Sequence, residues 1–536
     1  SLHLTADATL SRAAPFTLGS VALQNHALTL ASPTTDLTVS GAVAFDNASS
    51  RIVTQGADLT LASALALNNG QLTSSGGTLT LAQGATLDDG ALFDLTGSTV
   101  ELTGALKLGG ATVTTDNTSV LRLQAASSFS STDNLTLGTL DLNGYPFTFE
   151  TPDTHLILTN PLTVESSASF DTKTGSLTLN GATTLRENSN LQSSGGALVF
   201  NNTLTLDNAS LLSDGGSMTL AQGATITDGD LQLYGTRLTF GEEDVLLTNN
   251  STLRLDAESS LTSDGAALRM TGGAFEFGGT FDFADVYFDN ATVLQLNAAA
   301  NISRNAPLGI GGLNLNGHAL TLETATTDLS INSPLDLNQS GSQLITKAAD
   351  LVLPYPLQLN SGTLTSTGGT LTLAQGGTLG NSATLDVRGT TLELANSFAA
   401  EAGSLQTDDA TVLKLLDNTT LSFNGQKLFK ALEHNSRTLT LGTADTHLEL
   451  IDPLILSAMA LHTQEGSLSL QGALTLDNGS LLDSTSGTLT LGGTADNLSR
   501  IALPGTTLVL QDDLSISGTL TTGAGTVFQH NGFALN

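Results

Sequence analysis

"GGTLTLAQGATL" runs from Gly76 to Leu87, and the chain writes it again as "GGSMTLAQGATI" (Gly215 to Ile226) and "GGTLTLAQGGTL" (Gly368 to Leu379). Inside the phrase apolar and hydroxyl residues alternate. Leu79 and Leu81 point one way while Thr78 and Thr80 point the other, which is the period of a strand and not of a helix. Similar pairs follow at Leu59/Leu61, Leu65/Leu67, Val100/Leu102 and Leu106/Leu108. Between them stand Asn-Asn-Gly, Ser-Ser-Gly-Gly and Asp-Asp-Gly, residues that turn a chain sharply because Gly and Asn tolerate positive φ.

Three such strands make about twenty residues, as Leu59, Leu79, Val100 and Leu121 show by their numbers. A meander of hairpins gives no reason for every third strand to look alike. A coil with three strands per turn does, because each strand then stacks in parallel on its equivalent one turn later. The spacing predicts an all-β fold: a parallel β-solenoid, a right-handed three-sided β-helix of about 20 residues per rung. Leu, Val, Ile and Phe fill its interior, and Thr, Ser, Asn and Asp cover its outside. About 26 rungs at roughly 4.8 Å each predict a length of order 120–130 Å.

A longer repeat lies above the rungs. "LQNHALTLASPTTDLTV" from Leu23 returns as "LDLNGYPFTFETPDTHLIL" from Leu140, "LNLNGHALTLETATTDLSI" from Leu313 and "ALEHNSRTLTLGTADTHLEL" from Ala431. Leu28, Phe147, Leu320 and Leu439 mark equivalent sites, spaced 119, 173 and 119 residues. The expected organisation is one continuous solenoid of four cassettes, approximately 1–119, 120–292, 293–411 and 412–528, with 529–536 opening a fifth. Because "SLHL" at Ser1 and "GFALN" at Gly532 carry the same alternation as internal rungs, the expected partners are the chain itself, head to tail, or further repeats of the same polypeptide.

The composition narrows the function. With 17 Lys plus Arg against 50 Asp plus Glu, the formal charge of −33 repels nucleic acid and excludes it as a partner. The charge is read as keeping a long β-protein soluble and apart from its neighbours. No apolar run approaches the roughly 18 residues of a membrane span, so this segment is not expected to insert. The chain has no cysteine, which removes disulfides, thiolate metal sites and cysteine nucleophiles.

Chemistry-bearing clusters are sparse. Polysaccharide-cleaving β-helices need acids, bases and aromatic platforms gathered in a groove, and here Trp is absent and the bases are scattered. The acid pairs Asp88-Asp89, Glu242-Glu243-Asp244, Asp408-Asp409 and Asp512-Asp513 are sequence neighbours, a placement silent about the separation that glycoside hydrolysis requires. His26 and His318 share one cassette position and His155 and His447 another, so they read as scaffold. Asp46-Asn47, Asp116-Asn117, Asp207-Asn208, Asp289-Asn290, Asp417-Asn418 and Asp477-Asn478 read as corners. No G-G-x-G-x-D calcium repeat appears, and the sequons at Asn47 and Asn208 read as turn chemistry. No catalytic, cofactor-binding or metal-ligating residue is therefore assigned, and no cofactor is expected. "FEFGGTFDFADVYF" (Phe275 to Phe288) predicts an internal Phe stack. "GQKLFKALEHN" (Gly425 to Asn435) is the one helix-like stretch and is expected to form a bulged rung.

The repeated "TLTL"-turn-Gly rungs, the absence of cysteine, the acidic charge and the duplicated cassettes resemble the β-helical stalks of large bacterial surface proteins, namely autotransporter passengers and filamentous-haemagglutinin-type adhesins. The resemblance implies a secreted, non-catalytic rod at the cell surface, part of a fibre, adhesin stalk or sheath, with surface glycans of a host or neighbouring cell as further partners. The alternative expectation is a carbohydrate-binding or polysaccharide-cleaving β-helix.

Overall fold

The structure is a computed structural model and describes residues 1–536 apart from 283–284, 478, 497–499, 515–519 and 535–536. The described residues form strands and turns without an α-helix, and the strands stack in parallel as a β-solenoid. They make two compact units, Ser1–Gly273 with Asp285–Tyr287, and Ala274–Ala284 with Phe288–Asn536.

Within the first unit the coil is most regular after Leu162. Ser169–Asp171, Ser176–Leu179 and Thr183–Arg186 make one turn. Asn190–Ser193, Ala197–Phe200 and Leu204–Asp207 make the next. Each strand then pairs with its counterpart: Phe170 with Leu191, Leu177 with Leu198, and Leu185 with Leu206. Those six side chains are at most 1% exposed. The alternation thus delivers three inner columns, and each fully buried Leu or Phe contributes about 1.5–3 kcal/mol. Leu28, Phe147, Leu320 and Leu439, expected to be equivalent, are all 0% exposed.

The second unit repeats the first with an offset of 292 residues as far as Leu454–Leu456, and of 291 from Ala460–His462 onward. Leu320 lies 292 residues after Leu28, and Leu439 lies 292 after Phe147. The unequal cassette spacings of 119 and 173 together make that distance. Strands obey it too: Phe16–Leu18 matches Leu308–Ile310, Thr78–Leu81 matches Thr370–Leu373, and Val120–Ser131 matches Val412–Phe423. The four cassettes thus recur as two pairs.

The opening phrase is repeated because it encodes two corners that a side chain would block. Gly84, Gly223 and Gly376 have φ of 76°, 68° and 69°. A Cβ on them would lie 2.2, 2.3 and 1.9 Å from the carbonyl oxygens of Ala105, Asp244 and Ser397 in the following rung. At the other end of the phrase, a Cβ on Gly77, Gly216 or Gly369 would meet the carbonyl of Gly56, Gly196 or Ala348 at 2.7, 2.3 or 2.6 Å. Backbone approaches this close admit only glycine.

Three expectations need correction or completion. Ser and Thr do not lie only outside: Ser74 and Ser213 are buried near strand ends, and Ser98, Thr236, Ser366 and Thr390 are buried beyond them. Thr236 Oγ1 reaches the Ser213 carbonyl at 2.9 Å, and Ser98 Oγ reaches that of Ser74 at 2.7 Å. Such hydroxyls can turn inward because the neighbouring rung supplies a carbonyl acceptor. "GQKLFKALEHN" is no bulge but two strands, Gly425–Phe429 and Ala431–Glu433, the first in unbroken register with residues 446–450. Leu428, Ala431 and Leu432 suggest a helical face locally, and stacking overrides that preference. The Phe stack is present: the rings of Phe275 and Phe277 lie 5.2 Å apart, and those of Phe277 and Phe281 5.7 Å apart. Its member Phe283 lies outside the described residues, as does Asn478 of the expected Asp477-Asn478 corner.

Candidate functional site

The most distinctive polar chemistry is a corner written three times. Asp116 Oδ1 accepts from the Gly97 amide at 3.2 Å, the Thr118 amide at 3.0 Å and the Thr118 hydroxyl at 2.8 Å. Asp256 accepts from the Gly235 amide at 2.9 Å and the Ser259 hydroxyl at 2.6 Å. Asp408 accepts from the Gly389 amide at 2.9 Å and the Thr411 hydroxyl at 2.7 Å. The signal, legible in retrospect, is Gly-Ser/Thr followed one rung later by Asp-x-x-Ser/Thr. Each aspartate ties its own turn and also grips the turn before it.

The hydroxyl of Thr118 first, then the Ser119 hydroxyl and the Gly97 and Thr118 amides, lower the Asp116 carboxyl from 3.8 to about 2. A carboxylate whose folded value is depressed stabilises the fold fully above its unfolded value, and that contribution disappears as pH falls through the folded value. Asp116→Asn is therefore expected to be less stable than wild type at neutral pH. The gap should narrow below about pH 4 and close near pH 2. Urea unfolding of both proteins across this range checks it, and a gap independent of pH would refute the assignment.

Charged residues also work between rungs. Thr80 Oγ1 donates to Glu101 at 3.2 Å, and Arg122 Nε bonds Asp141 at 2.8 Å. The same column 292 residues later has Thr372 donating to Glu393 at 2.7 Å and Lys414 Nζ bonding Glu393 at 2.7 Å. Such surface pairs contribute about 0–1 kcal/mol each. Their regular effect is to place opposite charges on successive rungs.

Asp244, Asp408 and Asp513, from the acid pairs singled out in the sequence, take these roles. Asp244 accepts from Arg269 Nε at 2.6 Å and from the Ala267 amide at 2.8 Å, and these bonds, that of Arg269 first, lower its carboxyl. Asp513 accepts from the Ala534 amide at 2.7 Å. Asp88 and Asp89 are exposed at the end of strand Ala85–Asp88. His26 lies 3.6 Å from Asp7, and His155 and His447 occupy equivalent outward columns, facing Ser176 and Ser467 along the stack. Among the described residues no three His, Asp or Glu are gathered as metal ligands.

A groove on the second unit has a volume of about 340 Å3 and is lined by Gln426, His447, Glu449, Ser469, Thr490 and Gln511 among others. It follows the outer face of the sheet built by Gly425–Phe429, Thr446–Leu450, Ser467–Leu470, Thr488–Leu491 and Thr507–Leu510. Its one carboxylate, Glu449, accepts from the Gln426 amide and, at 2.5 Å, from the Gln471 amide. With both carboxylate oxygens engaged by amides and no second carboxylate in the lining, the groove presents amides and hydroxyls. The equivalent column of the first unit reads Thr136, Ile157, Thr178 and Val199, so the carboxylate is particular to the second unit. Comparison with protein-family profiles, curated proteins and solved structures gave no match to this chain.

Proposed function

We propose that this chain is a non-catalytic structural element of the extracellular space: a β-helical stretch of a surface fibre, adhesin stalk or sheath. The observation supporting this reading is where the polar chemistry goes. The Asp corners, the buried hydroxyls and the Thr-Glu-cation columns all bind one rung to the next, and the columns recur 292 residues apart. Side chains committed to holding neighbouring turns together serve the scaffold. The 292-residue pair of cassettes is the increment by which such a scaffold lengthens, and like units are its natural partners. A protease applied to intact source cells should remove the protein, and immunogold electron microscopy should place it in filamentous material outside them. A protease-protected, intracellular location would overturn the proposal, as would measurable polysaccharide turnover.

The groove containing Glu449 supports a second reading, in which the same scaffold binds neutral glycans through amides and hydroxyls. Glycan-array binding that is lost in Glu449→Leu, with the fold retained, would favour it.

A further inference from the structure

We propose that Lys427 is a covalent attachment site, an amine on the inner column of the second unit that condenses with the carbonyl of a small hydroxyaldehyde or an open-chain reducing sugar. The placement follows from register. Lys427 pairs with Leu448, and the column continues through Leu468 and Leu489, each 1% exposed. The residue 292 positions earlier is Leu135, also buried and paired in the same way with Leu156. A lysine therefore stands where the duplicated unit has a leucine.

Its surroundings differ from those of the other lysines. Lys107, Lys347 and Lys414 rest on Glu150, Glu323 and Glu393. Lys173 and Lys430 are exposed. Lys427 is half-buried, and among the described residues no carboxylate lies within ion-pair distance of it. Burial without a counter-charge lowers its ammonium pKa, which enriches the nucleophilic free amine.

The fold also leaves a path to it. Ser404–Gln406, one turn earlier, pairs backward with residues 384–386, and Gly425–Phe429 pairs forward with residues 446–450, but no ladder joins the two. A Cβ built on Gly425 at that edge meets nothing within 4 Å. In the reaction Nζ adds to the carbonyl carbon, and the carbinolamine loses water to give an imine.

The test treats the whole chain with limiting glycolaldehyde at neutral pH. Cyanoborohydride donates hydride to trap the imine as a secondary amine, and peptide mapping by mass spectrometry quantifies each lysine. Lys427 should be modified several-fold more than any of the other five. The preference should vanish in guanidinium chloride, and Leu135→Lys should create a second favoured site in the first unit. Equal or lesser labelling of Lys427 in the folded chain would overturn the proposal. So would a preference that survives denaturation, since it would then owe nothing to the fold. Lys427→Leu, which restores the residue type found at Leu135, should remove the favoured product and leave labelling of the remaining lysines unchanged.

Discussion

Phe147→Ala is expected to destabilise the first unit by about 3–5 kcal/mol. Phe147 is fully buried, and its ring lies 5.3 Å from that of Phe170, 6.1 Å from Phe149 and 6.2 Å from Phe129. Phe149 and Phe170 are themselves 5.4 Å apart, so four rings close on one another. Truncation removes the transfer free energy of a ring and leaves a cavity that rigid neighbours cannot fill. It also breaks three ring contacts worth about 0.5–1.5 kcal/mol each. Because each rung touches only its neighbours, the loss should be local. Hydrogen exchange should accelerate roughly a hundredfold to several thousandfold across residues 120–193. Exchange within the second unit should not change. Uniform acceleration across both units would contradict a nearest-neighbour stack.

The second large effect is expected at Gly376→Ala, at about 2–4 kcal/mol. Two costs combine there. The φ of 69° is unfavourable for alanine by roughly 1–2 kcal/mol. In addition the new Cβ would fall 1.9 Å from Ser397 O and 2.9 Å from Ala395 O, both backbone atoms, so the rungs themselves must part. The ladder that suffers is Gly377 to Phe398 and Thr378 to Ala399. Gly425→Ala separates the two costs: its φ is 76°, but a Cβ there meets nothing within 4 Å. It should lose only the conformational part, about 1–2 kcal/mol. Thermal unfolding of the two variants beside wild type decides the matter, and equal losses would mean that close approach of the rungs carries no energy.

How much of this was legible beforehand depends on the range over which each feature is decided. Alternation in "GTLTL" is decided within five residues, so strands, inner leucines and three strands per turn could be read directly. The Phe275/Phe277/Phe281 stack follows from the same alternation. Asp116, Asp207 and Asp289 are turn residues by local chemistry and sit in or beside turns. Contacts between residues twenty apart are a different matter. The inward Ser98 and Thr236 look like every other hydroxyl until the carbonyl of the preceding rung is placed beneath them. Lys427 looks like part of a helix until its register against Leu448 is known. Glu449 and Gln471 look like scattered polar residues until one turn of the coil sets them side by side. The offset of 292 was hidden because the cassettes inside it differ in length.

That offset also reveals how the interior adapts. The first unit carries Phe129, Phe147 and Phe149 where the second carries Leu421, Leu439 and Leu441, all buried. Phe93 likewise becomes Leu385, and elsewhere the exchange runs in reverse: Leu106 and Leu137 become Phe398 and Phe429. The two copies exchange Phe and Leu in both directions at buried positions, so rings and aliphatic side chains substitute for one another while the strands keep register.

The parallel ladder has a mechanical consequence. Its inter-rung hydrogen bonds lie along the direction in which turns are added, so tension along that direction opens them a few at a time and never shears a whole sheet at once. A detached rung of about 20 residues can extend to roughly 70 Å, while in the stack it occupies only about 4.8 Å. Each unit is therefore a compliant element under load: it yields rung by rung at nearly constant force, pays out many times its folded length, and has a neighbouring template on which each released turn can rewind.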